Sequence, residues 1–166
     1  MTEHEIDPRI QLFIQRLEKL DPGQRATLKR NAGTPLAESH AALGLFYSLL
    51  PAGVPQPIEE LYFMVATLFP LAEGKASGDL GDSLRQARST KTQKGLDRRV
   101  EVLLDADEGQ VAFRLRTAIH FLQSNRVQVN WYRLLEDLLR WTHPSRFIQE
   151  RWARSYFKLQ LKAKPS

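Results

Sequence analysis

Residues 7–17 read DPRIQLFIQRL. The apolar side chains of this run recur at intervals of three, four and seven residues, which places them on one face of an α-helix. They are Ile10, Phe13, Ile14 and Leu17. Asp7 is a suitable N-cap, and Pro8 suits the first helical turn. The run therefore predicts an amphipathic helix that buries one face.

The same helical spacing recurs along most of the chain. Asp21-Pro22 repeats the start signal, and the further predicted helices are Pro35 through Leu50, Ile58–Phe69, Leu96–Leu104, Val111–Leu122, Trp131–Arg140 and Pro144–Leu161. Asp107 and Asn130 are candidate caps for two of them. No stretch shows sustained period-two alternation between hairpin turns. We therefore predict an all-α fold, a compact bundle of about eight or nine short helices.

Residues 73–95 differ from the rest because four glycines lie among Ser, Thr and Lys, namely Gly74, Gly78, Gly81 and Gly95. Such a composition is typical of a flexible connection, with at most one short helix at 82–88. We predict two lobes, an N-terminal helical lobe (1–72) and a C-terminal helical lobe (96–166), joined by a flexible basic segment (73–95).

Several functional classes find no support in the sequence. The chain has no cysteine, which excludes disulfides, thiol nucleophiles and cysteine-ligated metals. The N-terminus has no apolar signal region, and the longest apolar run is too short for a membrane span, so we expect a soluble cytoplasmic protein. The four histidines lie on separate segments. Asp105, Asp107 and Glu108 could hold a divalent ion in a loop, but capping of a helix is the favoured interpretation. No catalytic residue, cofactor or metal is expected.

The positive charge is concentrated in the second half of the chain. Residues 1–84 contain seven Lys/Arg against eleven Asp/Glu and residues 85–166 contain seventeen against eight, which gives −4 and +9 for the stated net charge of +5. Sixteen of these cations are arginine, whose planar guanidinium matches phosphate oxygens. A polyanion such as nucleic acid is one partner that fits. A solvated face paired with local acids is the alternative.

The cations fall in rows at helical spacing. Arg25, Lys29 and Arg30 form one row with no acid nearer than Asp21. A second row combines Arg151 and Arg154 with Lys158 and Lys162. Between them lie Arg98, Arg99 and Arg126, whereas Arg133 with Asp137 and Glu136 with Arg140 are spaced to pair within one helix. Since the aromatic residues lie mostly on apolar stripes, phosphate contact without base reading is the predicted mode.

Four strings, in order along the chain, resemble the CasB family. They are Gly23-x-Arg25-Ala26-x-Leu28-x-Arg30, Leu96-Asp97-Arg98-Arg99-Val100-x-x-Leu103-Leu104, Trp131-x-x-Leu134-Leu135-x-Asp137-Leu138-Leu139-x-Trp141 and Arg151-Trp152-Ala153-Arg154-x-Tyr156-Phe157. The resemblance runs from about Asp7 to Lys158.

The resemblance implies a non-catalytic helical small subunit of the type I-E CRISPR Cascade complex. Its expected partners are the CasC-type backbone, the CasA-type large subunit, a second copy of itself, and the target and displaced DNA strands of an R-loop. In that setting the guide supplies sequence specificity, so the subunit needs only backbone contacts. The family's basic positions match Arg25, Arg30, Arg99, Arg151 and Arg154, and Arg85, Arg88, Lys91 and Lys94 keep the basic character of its central loop.

Two other functions stay open. A helical protein–protein adaptor would show the same helices without binding DNA. A metal-dependent nuclease would need Mg²⁺ or Mn²⁺ and a contribution from Asp105 or Asp107.

Overall fold

The computed structural model describes residues 6–72 and 74–158. Within these ranges the chain forms nine α-helices and no strand, which confirms the predicted all-α fold. The helices are α1 (Pro8–Glu18), α2 (Pro22–Arg30), α3 (His40–Leu49), α4 (Glu59–Leu68), α5 (Leu80–Gln86), α6 (Gln93–Leu104), α7 (Val111–Ser124), α8 (Trp131–Leu138) and α9 (Phe147–Phe157). None of these helices combines the length and apolarity needed to cross a bilayer.

The first two helices begin as their sequences predict. The Asp7 carboxylate accepts a hydrogen bond from the backbone N–H of Arg9 at 2.8 Å, and the four stripe residues of α1 are all buried. At α2, Asp21 and Gln24 form a reciprocal capping box, in which each side chain accepts from the other's backbone N–H. Local capping therefore fixes both starting points.

Helices α3 and α4 begin later than predicted. Pro35 and Pro57 do not start α-helices but lie at the 3₁₀ turns Leu36–Glu38 and Gln56–Ile58. In the first turn, the Ser39 hydroxyl donates to the Pro35 carbonyl at 2.9 Å. That side-chain bond competes with α-helical geometry and holds the tighter turn.

An aromatic cluster forms the core between α1, α3 and α4. The rings of Phe13 and Tyr62 meet edge to face with centroids 5.0 Å apart, and Phe46 contacts Phe63 in the same manner at 5.2 Å. All four side chains are at most 1% exposed. Aromatic pairs of this geometry add to the free energy gained from burial alone.

The Trp131 side chain connects this core to the second half of the chain, and Trp141 joins elements within that half. The Trp131 indole N–H donates to the Ala72 carbonyl at 2.8 Å, and its ring packs on Phe69. The Trp141 indole donates to Ala106, and its ring lies 5.0 Å from that of Trp152. The buried residues on both sides belong to one contiguous hydrophobic core.

The glycine-rich segment contains α5, close to the short helix predicted there. Helix α5 packs against α9, and Leu80, Gly81 and Leu84 are buried. A Cβ on Gly81 would lie 2.4 Å from the Trp152 carbonyl oxygen, so this glycine allows two helices to approach closely rather than supplying flexibility. The division of the chain into two lobes stays a prediction.

Candidate nucleic-acid interface

The eight basic residues selected from the sequence lie on four parts of the fold. Arg25, Lys29 and Arg30 are on α2, Arg98 and Arg99 on α6, Arg126 just beyond α7, and Arg151 and Arg154 on α9. Six of them are exposed, whereas Arg25 and Arg151 are half-buried.

On α2 the three cations have different surroundings. The Arg25 guanidinium donates to the carbonyls of Leu20 and Glu18, both at 3.1 Å, and lies over the Phe69 ring, so it holds the turn between α1 and α2. Lys29 and Arg30 are exposed in the last helical turn, where the helix dipole favours cations. These two present their charge to solvent.

The adjacent pair on α6 is also exposed. The Arg99 guanidinium lies 5.3 Å from the centre of the Phe121 ring of α7. The neighbouring acid Asp97 is occupied elsewhere, since it accepts from the Arg88 guanidinium at 3.1 Å and from the Tyr156 hydroxyl at 2.6 Å. Partial burial opposes ionisation, but these bonds hold the pKa of Asp97 below its ordinary value. Asp97 therefore does not neutralise the α6 pair.

Arg126 ends helix α7 in a left-handed conformation with φ 56°. The Val127 N–H donates back to the Leu122 carbonyl at 2.9 Å, as in a Schellman C-cap, where glycine is the usual residue. Its side chain is exposed. An arginine in a backbone conformation that favours glycine carries a conformational cost.

On α9 both predicted arginines have carboxylate partners. Arg154 pairs with Glu150 at 2.9 Å, and the two side chains are 60% and 69% exposed, so water screens the pair. Arg151 donates to the Asp137 carboxylate of α8 at 2.9 Å. Lys162, the last member of the predicted row, lies outside the described residues. The partner of Arg151 therefore lies on a different helix, α8, and could not be predicted from the sequence of α9 alone.

Asp137 is fully buried and accepts two hydrogen bonds. The Trp152 indole N–H donates to one oxygen at 2.8 Å and Arg151 to the other, with Arg133 at 3.8 Å in the predicted i, i+4 pairing. Burial raises the pKa of Asp137, although the Trp152 bond and the nearby guanidinium groups oppose that shift. In the other predicted pair, the Arg140 guanidinium donates to the backbone carbonyl of Glu136.

The predicted basic central segment turns partly inward. The Arg85 guanidinium of α5 donates to the Tyr156 carbonyl of α9 at 2.8 Å, and Arg88, just after α5, pairs with Asp97 of α6. Lys91 and Lys94 are exposed.

Helix α7 contains one exposed apolar residue, Phe113, that sequence reasoning missed. Phe113 is 73% exposed, the most exposed of the large apolar side chains in residues 6–72 and 74–158. A helical wheel could have found it, since Val111 and Leu115 are buried and Phe113, two positions from each, falls on the opposite side. Arg114 bonds to the Val102 carbonyl of α6, and Arg116 lies beside Gly33.

Helix α7 lies between helix α6 and the chain that follows α2. Gly33, three residues beyond Arg30, meets Arg116, because a Cβ on that glycine would lie 2.9 Å from the Arg116 guanidinium. On the other side, Arg99 and Phe113 line one cavity. We call the surface formed by Arg116, Phe113 and Arg99 the α7 surface. Guanidinium groups distributed along such a surface can neutralise successive phosphates.

The acidic loop before α7 has a capping role. The Asp107 carboxylate accepts from the Gln110 N–H at 3.0 Å and so caps the turn that leads into α7, whereas Gln110, the N-cap residue of α7, forms no side-chain capping bond to that helix. Within residues 6–72 and 74–158, no group of three or more His, Asp and Glu residues is arranged to hold a metal ion.

The chain is similar to CRISPR-associated proteins over most of its length. Residues 24–157 match the family model of CRISPR-associated protein Cse2. A Thermus thermophilus protein named CRISPR-associated protein Cse2 is 35% identical over 150 residues, 87% of this chain and 86% of that protein. The crystal structure of CasB from Thermus thermophilus has a TM-score of 0.77 at 30% identity and covers 91% of this chain and 97% of its own. A chain of the structure called CRISPR RNA-guided surveillance complex shares the fold, with a TM-score of 0.75, 23% identity and coverage of 89% and 91%.

Proposed function

We propose a function for this chain on the basis of its family, since it belongs to the CRISPR-associated protein Cse2 family. In this proposal the chain is a non-catalytic subunit of an RNA-guided surveillance complex of the type I-E Cascade kind. Membership confirms the resemblance of the four sequence strings. In this proposal the subunit binds nucleic acid without sequence preference and stabilises the R-loop of target and displaced strands. Its partners are the CasC-type and CasA-type subunits and a second copy of the chain.

A set of exposed and unneutralised cations carries the proposal. The set consists of Lys29, Arg30, Arg98, Arg99 and Arg126. None of these five side chains forms an ion pair with a carboxylate of the described residues. Charges that are satisfied inside a protein contribute little to an external partner. Charges left on the surface release the condensed counterions of a nucleic acid when they meet its phosphates.

The α7 surface is where we expect a nucleic-acid strand to contact the protein's cations. Because Arg116 and Arg99 each line a hollow that Phe113 of α7 also lines, a strand that crosses α7 can meet both. Guanidinium–phosphate contacts position a strand but do not distinguish bases. Such contacts suit a complex in which guide RNA pairing selects the target.

The remaining predicted residues are ranked lower in the proposal. The Arg25 and Arg151 guanidinium groups already donate to Leu20 and Asp137, and the Arg154 charge is shared with Glu150. Each keeps donor positions that a phosphate could use, but removing any of them would also change the protein's own contacts. Lys29 and Arg30 are therefore the cleaner test.

The test is binding of the purified full chain to unrelated single- and double-stranded DNAs across a salt series, with and without Mg²⁺. We expect affinity to fall steeply with salt and to be independent of sequence. Lys29→Ala and Arg30→Ala should each reduce the slope of log K against log salt by about one unit. Lys19→Ala removes an exposed cation that is not in the predicted set and should leave the slope unchanged.

Each contrary outcome identifies a different alternative. No binding at low salt would refute the proposal and favour the protein–protein adaptor. Cleavage that appears with Mg²⁺ and disappears in Asp105→Ala or Asp107→Ala would favour the nuclease. A change in sequence preference on replacing Arg30 would contradict contact through phosphates alone.

A further inference from the structure

Phe113 is exposed where helix packing offers it no partner. Its side chain is 73% exposed, whereas the other large apolar residues on the described surface are at most 49% exposed. Single apolar residues on a surface are common. Phe113 differs because it lies between two hollows and among arginines.

The two hollows share the Phe113 side chain as part of their lining. One, of about 150 Å³, lies between α6 and α7 and is also lined by Arg99 and Arg114. The other, of about 360 Å³, lies between α7 and the chain that follows α2, and is also lined by Arg116 and Thr34. An exposed aromatic ring therefore stands with a guanidinium group on either side.

One nitrogen in this arrangement has no partner. The Nε of Arg116 is buried and forms no hydrogen bond with the described residues. The acid in the larger hollow, Glu60, already accepts from the Leu36 N–H at 3.0 Å. The polar groups around Phe113 are thus mainly donors, which suit an anionic ligand.

We propose that Phe113 is a stacking platform for a base of a single-stranded nucleic acid, whose flanking phosphates contact Arg99 and Arg116. This inference rests on the proposed function, which it deepens by naming a contact to bases and a preference for single strands. Every base has a π-face, so stacking on phenylalanine adds affinity without reading sequence. In a duplex the bases stack on one another and leave no face for the ring.

Charge decides between nucleic acid and an apolar protein segment as the occupant. An apolar segment would fill the smaller hollow, but it would leave the Arg99 charge beside it without an anion. A single-stranded nucleic acid supplies both a ring to stack on Phe113 and an anion for the guanidinium groups, since each nucleotide carries an aromatic base and a phosphate. The guanidinium groups on both sides of the ring match that alternation.

Three substitutions at position 113 test the inference on the full chain. Because Phe113 is mostly exposed, Phe113→Ala should fold normally, which circular dichroism and thermal unfolding would verify. We expect Phe113→Ala to weaken binding of oligo(dT) by roughly 5- to 150-fold, the range for the loss of one stacked base, with duplex binding and the salt slope unchanged. Phe113→Trp should retain the affinity and its fluorescence should be quenched by oligo(dT). Phe113→Leu, apolar but without a π-face, should lose affinity as Phe113→Ala does.

The outcomes separate this inference from the proposed function. If the unsubstituted chain binds no DNA at low salt, the proposed function fails and the stacking contact fails with it. If it binds and Phe113→Ala binds oligo(dT) equally well, stacking alone is refuted. Full affinity in Phe113→Leu would also overturn stacking, because it would show that the site requires only an apolar surface.

Discussion

The buried carboxylate of Asp137 should contribute more to stability than any exposed ion pair of the described residues. In Asp137→Ala, the Trp152 indole N–H, on a side chain that is 1% exposed, loses its acceptor. An unsatisfied buried donor costs about 1–3 kcal/mol. The Arg151 partner is 34% exposed and can turn to water, so the lost ion pair adds only about 1 kcal/mol. The expected loss is about 2–4 kcal/mol in the free energy of unfolding.

This loss can be measured by urea and thermal unfolding of the purified chain. For a protein of this size each kcal/mol lowers Tm by about 2–4 °C, which gives a decrease of roughly 4–16 °C. Glu150→Ala is the matched control, since it removes an ion pair on α9 whose two side chains are 60% and 69% exposed. The control should change stability by less than about 0.5 kcal/mol. A loss below about 1 kcal/mol in Asp137→Ala would refute the assignment of Asp137 as the acceptor that joins α8 to α9.

Two further predictions concern α5. Burial raises the pKa of Asp79, so folding shifts this carboxyl toward its protonated form. The stability that the carboxyl contributes is complete below the unfolded pKa of about 3.9 and is lost as pH rises through the folded value. Asp79→Asn should therefore be more stable than the original chain at pH 7, and the difference should vanish in urea titrations near pH ~3.5; a difference that grew with acid would contradict the raised pKa. Gly81→Ala should destabilise by about 2 kcal/mol or more in thermal unfolding, because its Cβ would lie 2.4 Å from the Trp152 carbonyl oxygen. Gly44→Ala, in α3 with no atom within 4 Å of its Cβ, should instead stabilise by about 0.5–1 kcal/mol, and equal effects at the two glycines would refute the close approach of α5 and α9.

Local patterns predicted the helices because helix formation depends on nearby residues. The stripe beginning at Ile10 and the cap at Asn130, which accepts from the Arg133 N–H, required only residues within one or two turns. The late start of α3 was missed, since Pro35 is compatible with both an α-helix and a 3₁₀ turn. The role of Gly81 in the close approach of α5 and α9 was missed as well, because it depends on Trp152, which is 71 residues away in sequence.

The candidate site was less predictable than the fold. Arg151 and Arg30 look alike in sequence, as cations at helical spacing, yet one meets a buried carboxylate and the other meets solvent. Only packing of α8 against α9 decides between them. Phe113 could have been found from the sequence, since the helical wheel places it opposite the buried residues of its helix.

The packing of α1 on α8 has a consequence for how the chain folds during synthesis. The buried stripe of α1 leaves the ribosome early, but α8, against which it packs, follows more than a hundred residues later. Until Trp131 arrives and donates to Ala72, the first four helices keep apolar surface exposed to water. Translation through residue 138 therefore precedes the final closure of the core, and chains that stop earlier are candidates for chaperone binding.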